Sequence, residues 1–446
     1  MNIFRLKIIA TALLIITGGI LVFTFIKPET EYHNDTLTLD FGDYTIDSIK
    51  TSSDSSAMGA LESLCSDKGY AITYDSGSNI KTINGLPGAG DFRTWQLFTL
   101  DENYHWAKYT GDPNHLLVSQ TRGVSWGLCE NGGAPTPMVD STGVSYYNLG
   151  TATRVVCLAP SCTETVCALG GENLIVGTDM YSNYPASIEY KRNLGLIAEI
   201  GSYTTPNFES IVSLDPDLVI GIASQYNHKN TILKLREIGI NGVLVGDGED
   251  LQTVYDNTYM TGVAMGMDTV AKEITLKLKE QVEQTYGYVH SDHNKPSVMT
   301  ALSDDKSPWV AGTNTYISDI YSKSGAKNTF AGSINGWKPV NAEIIVQKNP
   351  SLIIVISQTA ATEENYNEMI ANLPEEWKTT DAYANGKIYM VSGPAEDLLS
   401  RPSTRVAQLT EILGRMFHEN SFPAVIEIPK YFSDNYTDFL TYSKDL

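Results

Sequence analysis

Residues 208–222 read FESIVSLDPDLVIGI and residues 342–356 read AEIIVQKNPSLIIVI, so one unit occurs twice, 134 positions apart. Glu209 matches Glu343, Ile211 matches Ile345, and Pro216 matches Pro350. Leu218, Ile220 and Ile222 match Leu352, Ile354 and Ile356. Each copy reads as a short helix, a proline turn and a strand buried on both faces. An acid stands at the same place in both copies, which asks for a shared purpose.

The surroundings of each copy extend the pattern. After Thr151 the chain alternates apolar strand-like runs with helices: RVVCLAP, TETVCALGG, LIVGTDMY, the first copy, ILKLREIGI and GVLVGD. Residues 251–289 carry no strand signal, and 270–289 form a long amphipathic helix rich in Lys and Glu. The alternation restarts at SVMTAL, passes through TYISDIYSKSGA and the second copy, and continues to KIYMVSG and RVAQLTEILGRMF. Alternating strands and helices imply parallel sheets. The class is therefore α/β, with two parallel-sheet lobes joined by a long helix. Ligands of such sheets sit beyond the carboxyl ends of the strands, and here two such ends would face a cleft.

Ahead of the lobes, residues 35–135 read as a small α+β domain. LTLDFGDYTI, AITYDSG, residues 93–100 and residues 118–129 read as mostly antiparallel strands, and residues 55–69 as a helix ended by Gly69. Residues 8–26 are uncharged and apolar, with Arg5 and Lys7 before them and Lys27 after. At about 1.5 Å per residue they nearly span a bilayer core of about 30 Å. They read as a signal anchor rather than a cleaved signal, and the flanking charges place the remainder outside the cytoplasm. No cysteine precedes Cys65, which argues against a lipid anchor at this end.

The expected division is 1–34 anchor and spacer, 35–135 α+β domain, 136–152 linker and 153–267 first lobe. The interlobe helix takes 268–291, the second lobe 292–420 and a C-terminal extension 421–446.

A formal charge of −21 argues against nucleic acid or an anionic membrane surface as partner. The five cysteines are too few for a disulfide scaffold; Cys65 and Cys129 could pair, and the last three read as small buried residues. The seven histidines are scattered, and no catalytic motif stands out. Ser161 with Glu164 three residues later reads as a capping box.

RVVCLAPSCTETVCALG, TDMYSNYP and both E-x-I-V-x-x-x-P units resemble the periplasmic binding proteins that have one rigid interlobe helix. Members of that family carry cobalamin, ferric siderophores or haem to ABC importers, and the likeness, over 153 to about 418, is strongest to the cobalamin binders. It implies that Glu209 and Glu343 dock against the importer's permease, with its ATPase as a further partner. It implies a corrinoid as transported ligand, no cofactor, and no enzymatic activity. Tyr181 and Trp337 match ligand-facing positions of the family. INGLPGAGDFRTWQLF and SWGLC are similar to small domains related to the C-terminal domain of transcobalamin.

The residues add four site expectations. Trp309 follows a strand and should lie at the second lobe's cleft edge. Ser161 should present a helix N-terminus to the ligand. Tyr226 and His228 follow LVIGIAS and should sit near the cleft mouth. His228 is the candidate axial ligand for a metal, although an exposed loop histidine is the plainer reading; no other metal ligand is expected. The rivals are an anionic ferric siderophore or haem held by Arg401 and Arg405, opposed by Glu396 and Asp397; a chelatase-like enzyme; and a scavenging module with no importer.

Overall fold

The computed structural model describes residues 35–52, 54–101, 106–147 and 149–444. The apolar stretch 8–26 lies outside them. Among the described residues no helix is long and apolar enough to cross a membrane.

The first module contains β1 (Thr36–Asp40), β2 (Ile46–Lys50), α1 (Ala57–Lys68), β3 (Ile72–Tyr74), β4 (Ile80–Ile83), β5 (Thr94–Leu100), β6 (Trp106–Lys108) and β7 (Val124–Cys129). Ser56 caps α1 by accepting from the Gly59 amide, and Gly69 ends it in the left-handed conformation. The sheet order is β2-β1-β7-β5-β6, parallel only between β1 and β7. Leu37, Leu39, Trp95 and Trp126 pack under Leu61 and Leu64 of α1. Residues 118–120, expected as strand, form a single 3₁₀ turn.

The first lobe follows the predicted alternation: β8 (Val155–Cys157), α2 (Pro160–Ala168), β9 (Ile175–Thr178), α3 (Ala186–Asn193), β10 (Ala198–Glu199), the hairpin β11 (Gly201–Ser202) and β12 (Thr205–Pro206), α4 (Phe208–Ser213), β13 (Leu218–Ile222), α5 (Tyr226–Glu237) and β14 (Asn241–Val245). Its sheet, β10-β9-β8-β13-β14, is wholly parallel. Two helices follow, α6 (Leu251–Ala264) and α7 (Asp268–Val289). At 22 residues α7 is about 33 Å long. It packs on α6 on one side and on the second lobe on the other.

The second lobe contains β15 (Ser297–Ala301), β16 (Trp309–Ala311), α8 (Tyr316–Lys323), β17 (Lys327–Asn328), β18 (Trp337–Pro339), α9 (Ala342–Lys348), β19 (Leu352–Ile356), α10 (Glu363–Asn372), α11 (Asp381–Ala384), β20 (Ile388–Val391), α12 (Pro394–Ser400), α13 (Val406–His418) and β21 (Tyr431–Phe432). Strands β15, β19, β20 and β21 are parallel, whereas β16 and β18 join antiparallel. The lobe is thus a mixed sheet. The segment after residue 420 contributes its edge strand β21. Beyond that strand, the Glu411 carboxylate of α13 accepts from the backbone amides of Thr441 and Ser443, and Thr285 of α7 bonds the Tyr442 hydroxyl.

The two copies of the repeated unit fold alike. Asn207 and Asn341 cap α4 and α9 through their side chains. Asp215 and Asn349 both take left-handed backbone, at φ 47° and 46°, to make the turn. Ile211 and Ile345 are both fully buried. Residues 136–152 are packed against the first lobe: the buried Asp140 carboxylate pairs with Arg236 and accepts from the Leu244 amide, while Tyr146 donates to the Leu244 carbonyl. All five cysteines are free thiols, so Cys65 and Cys129 do not pair.

Candidate functional site

A cleft of about 530 Å³ opens where the carboxyl ends of the two sheets face each other. That lies within the ~300–1,000 Å³ typical of small-molecule sites. The loops after β8, β9, β13 and β14 line it from the first lobe; residues 314–316, Trp337 and 396–402 line it from the second. No lining residue comes from the first module.

Aromatic rings form much of its wall. Tyr181 and Trp337 line it, and Ser161 at the start of α2 joins them. Tyr181 is 53% exposed, so its ring is free to meet a ligand. Tyr203 and Tyr316, which sequence reasoning missed, complete the aromatic lining. Tyr203 sits in the tight β11–β12 connection, a place no local pattern assigns to a cleft.

Four expectations need correction. Tyr226 opens α5 but is 75% exposed and does not line the cleft; Tyr203 occupies that side. Trp309 lies on β16, paired opposite Pro339, and is half exposed outside the cleft. His228 is neither exposed nor available to a metal. It is fully buried on α5, where Nδ1 accepts from the Ile222 amide and Nε2 faces the Tyr203 carbonyl at 2.7 Å. The backbone thus takes both ring nitrogens, and burial lowers the ring's pKa, keeping it neutral. The capping box at α2 does not form: the helix starts at Pro160, its N-cap Ala159 has no side-chain bond, and Glu164 turns away from the helix start.

Glu164 instead crosses to the second lobe. Its carboxylate accepts from Arg405 Nε at 3.0 Å and Nη2 at 2.5 Å, from Arg401 Nη1 at 2.9 Å, and from the Ser403 hydroxyl. Arg405 is almost fully buried, with its guanidinium 4.0 Å over the Tyr184 ring. Arg401 also donates to Asn183 Oδ1 and the Tyr181 carbonyl, and its Nη2 lies 2.7 Å from Asp397 Oδ1. Neither arginine is free. Asp247, Glu249 and Glu396 line the same cleft and form no ion pair with another described residue. Burial, then the charge of Asp397, pushes the Glu396 carboxyl up. The site is therefore an aromatic cleft with an acidic rim and neutralised cations. Among the described residues no group of three or more metal-ligating side chains occurs.

Glu209 and Glu343 lie outside the cleft, both exposed in the first turns of α4 and α9.

Two lobes bridged by one helix, with a cleft at the sheet ends, make the architecture of a ligand-binding protein. Residues 155–394, more than half of the chain, match the model of the periplasmic binding protein family, and the chain belongs to that family. It is 25% identical over 273 residues to YvrC of Bacillus subtilis (strain 168), named an uncharacterized ABC transporter substrate-binding lipoprotein; the match covers 60% of this chain and 81% of that protein. It is 24% identical over 271 residues to the cobalamin-binding protein of Halobacterium salinarum (strain ATCC 29341 / DSM 671 / R1), covering 60% of this chain and 70% of that protein. In fold it is similar to a periplasmic heme binding protein from Pseudomonas aeruginosa, with a TM-score of 0.54 at 20% identity, covering 63% of this chain and 97% of that one. These relatives are binding proteins, not enzymes.

Proposed function

We propose that this chain is the substrate-binding component of an ABC importer and that its ligand is a corrinoid. The cleft itself carries the reading: it offers Tyr181, Tyr203 and Trp337 to a broad flat ring, and both nearby arginines are held by carboxylates. A corrin with amide side chains needs apolar walls and hydrogen-bonding groups rather than cations. The tetrapyrrole carboxylates of haem, or an anionic ferric siderophore, would meet an acidic rim. The relative named a cobalamin-binding protein supports the same ligand.

Glu209 and Glu343 serve as the docking acids. They are exposed on separate lobes at equivalent places, where charge complementarity with a permease fixes orientation. Helix α7 and the contacts of Glu164 limit the lobes to modest closure. The stretch 8–26 holds the protein at the outer face of the membrane.

The test is titration of the purified protein with cyanocobalamin and aquocobalamin, following heat and the visible spectrum. Saturable one-to-one binding at micromolar or tighter supports the corrinoid. Absence of heat and of spectral change with both removes it. A spectral shift with aquocobalamin alone would demand a cobalt ligand other than His228, whose nitrogens are both engaged.

A further inference from the structure

Glu164 has no part in ordinary helix capping, yet it is a carboxylate buried between two lobes. Its four contacts, from Arg401, Ser403 and twice from Arg405, fill the roughly four acceptor positions a carboxylate has. All of them come from residues 401–405, of which Arg401 and Pro402 line the cleft while Ser403 and Arg405 are buried behind it at the approach to α13. Arg401 is the only cation among the cleft-lining residues, and Glu164 and Asp397 both neutralise it.

We infer that Glu164, assisted by Asp397, sets the charge class of ligand that the cleft accepts, withholding the Arg401 guanidinium from anions and leaving a site for neutral or cationic ligands. The inference rests on the reading of this cleft as the ligand site, but not on the ligand being a corrinoid. An anion entering here meets Asp247, Glu249 and Glu396 at the rim and a guanidinium that already faces two carboxylates. Binding it would require displacing Glu164 or Asp397 from Arg401, which leaves a largely buried carboxylate without its cation. A neutral ligand leaves those pairs intact. Selection thus works by rejection as much as by attraction. Without the two acids, the cleft would present the Arg401 guanidinium unpaired beside Ser161 at the start of α2.

The experiment compares the wild-type protein with Glu164→Gln/Asp397→Asn, using the trianionic ferric tris(catecholate) complex as anion and cyanocobalamin as neutral ligand. The double variant should bind the ferric complex at least about tenfold more tightly than wild type, with a gain that shrinks as salt rises. Its preference for the ferric complex over cyanocobalamin should rise by at least about tenfold relative to wild type. Equal ferric-complex binding by the two proteins overturns the inference, and so does wild-type binding as tight as the variant's. Failure of cyanocobalamin to bind either protein defeats the corrinoid reading alone, because the anion comparison is read separately. If the double variant does not fold, Asp397→Asn alone keeps the Glu164–Arg405 fork and frees one side of Arg401. A gain of about threefold for the anion is then expected, and no gain overturns the inference.

Discussion

Gly248 lies against the ring of Pro402, so close that a β-carbon at position 248 would overlap it. The two residues belong to opposite lobes, and Gly248 takes a left-handed φ of 75°. Its carbonyl also accepts from the Tyr316 amide across the cleft. A side chain here both strains the backbone and wedges the lobes apart. Gly248→Ala should weaken ligand binding by about tenfold or more while the protein remains folded. Calorimetry gives the affinity, and small-angle scattering should show a more open molecule.

The aromatic wall can be tested ring by ring. Trp337→Ala should cost about 1–2 kcal/mol of binding, roughly tenfold in Kd. Tyr181→Ala should fall in the same range. Trp309, outside the cleft, serves as the control: its alanine variant should stay within about 0.5 kcal/mol. Equal losses at Trp309 and Trp337 would contradict the placement of the ligand.

Docking should separate from capture. Glu209→Arg with Glu343→Arg should leave the ligand Kd within about twofold and reduce stimulation of the importer's ATPase by about tenfold or more. Each single reversal should give an intermediate loss. Reconstituted importer with titrated binding protein reports both quantities.

The first module contacts α6 through a buried acid. Asp256 accepts from the Tyr44 hydroxyl at 3.1 Å and from Gln252 at 2.8 Å, and burial pushes its carboxyl up to about 7. Lys279, which lies over the Tyr44 ring, opposes the rise, while Asp40 adds to it. The folded state therefore holds a proton that the unfolded chain releases near pH 4. This stabilisation is complete below that value and is lost as pH rises through about 7. Melting temperatures of wild type and Asp256→Asn should lie closest at about pH 4 and below, and wild type should fall progressively below the variant as pH rises to 8. Parallel curves would disprove it.

Arg236→Ala should destabilise by about 3–5 kcal/mol, because it strands the buried Asp140 carboxylate. Chemical denaturation measures this directly.

The repeated unit was readable because everything that makes it is local: an asparagine cap, a left-handed turn residue, a proline and an apolar run, all within sixteen residues. The two lobes and the joining helix followed from that pattern. What stayed hidden depends on distant partners. Glu164 obeys a capping spacing, but its arginines are 237 and 241 residues away. His228 looks like a loop residue until the Tyr203 carbonyl, 25 residues earlier, fixes its ring. The stretch 136–152 reads as a linker, although Asp140 within it is tied to Arg236 and Leu244. No local periodicity records such pairings.

The bonds that Glu411 accepts from Thr441 and Ser443 have a consequence for the order in which the lobe can be built. Those residues follow every described helix and strand, including α13, which they brace, and α7, which Tyr442 reaches. During vectorial synthesis or export, Glu411 must face Arg415 alone until the tail arrives. The second lobe is therefore the last part to mature, and a chain stalled short of residue 441 would display an unclosed seam for proteases to recognise.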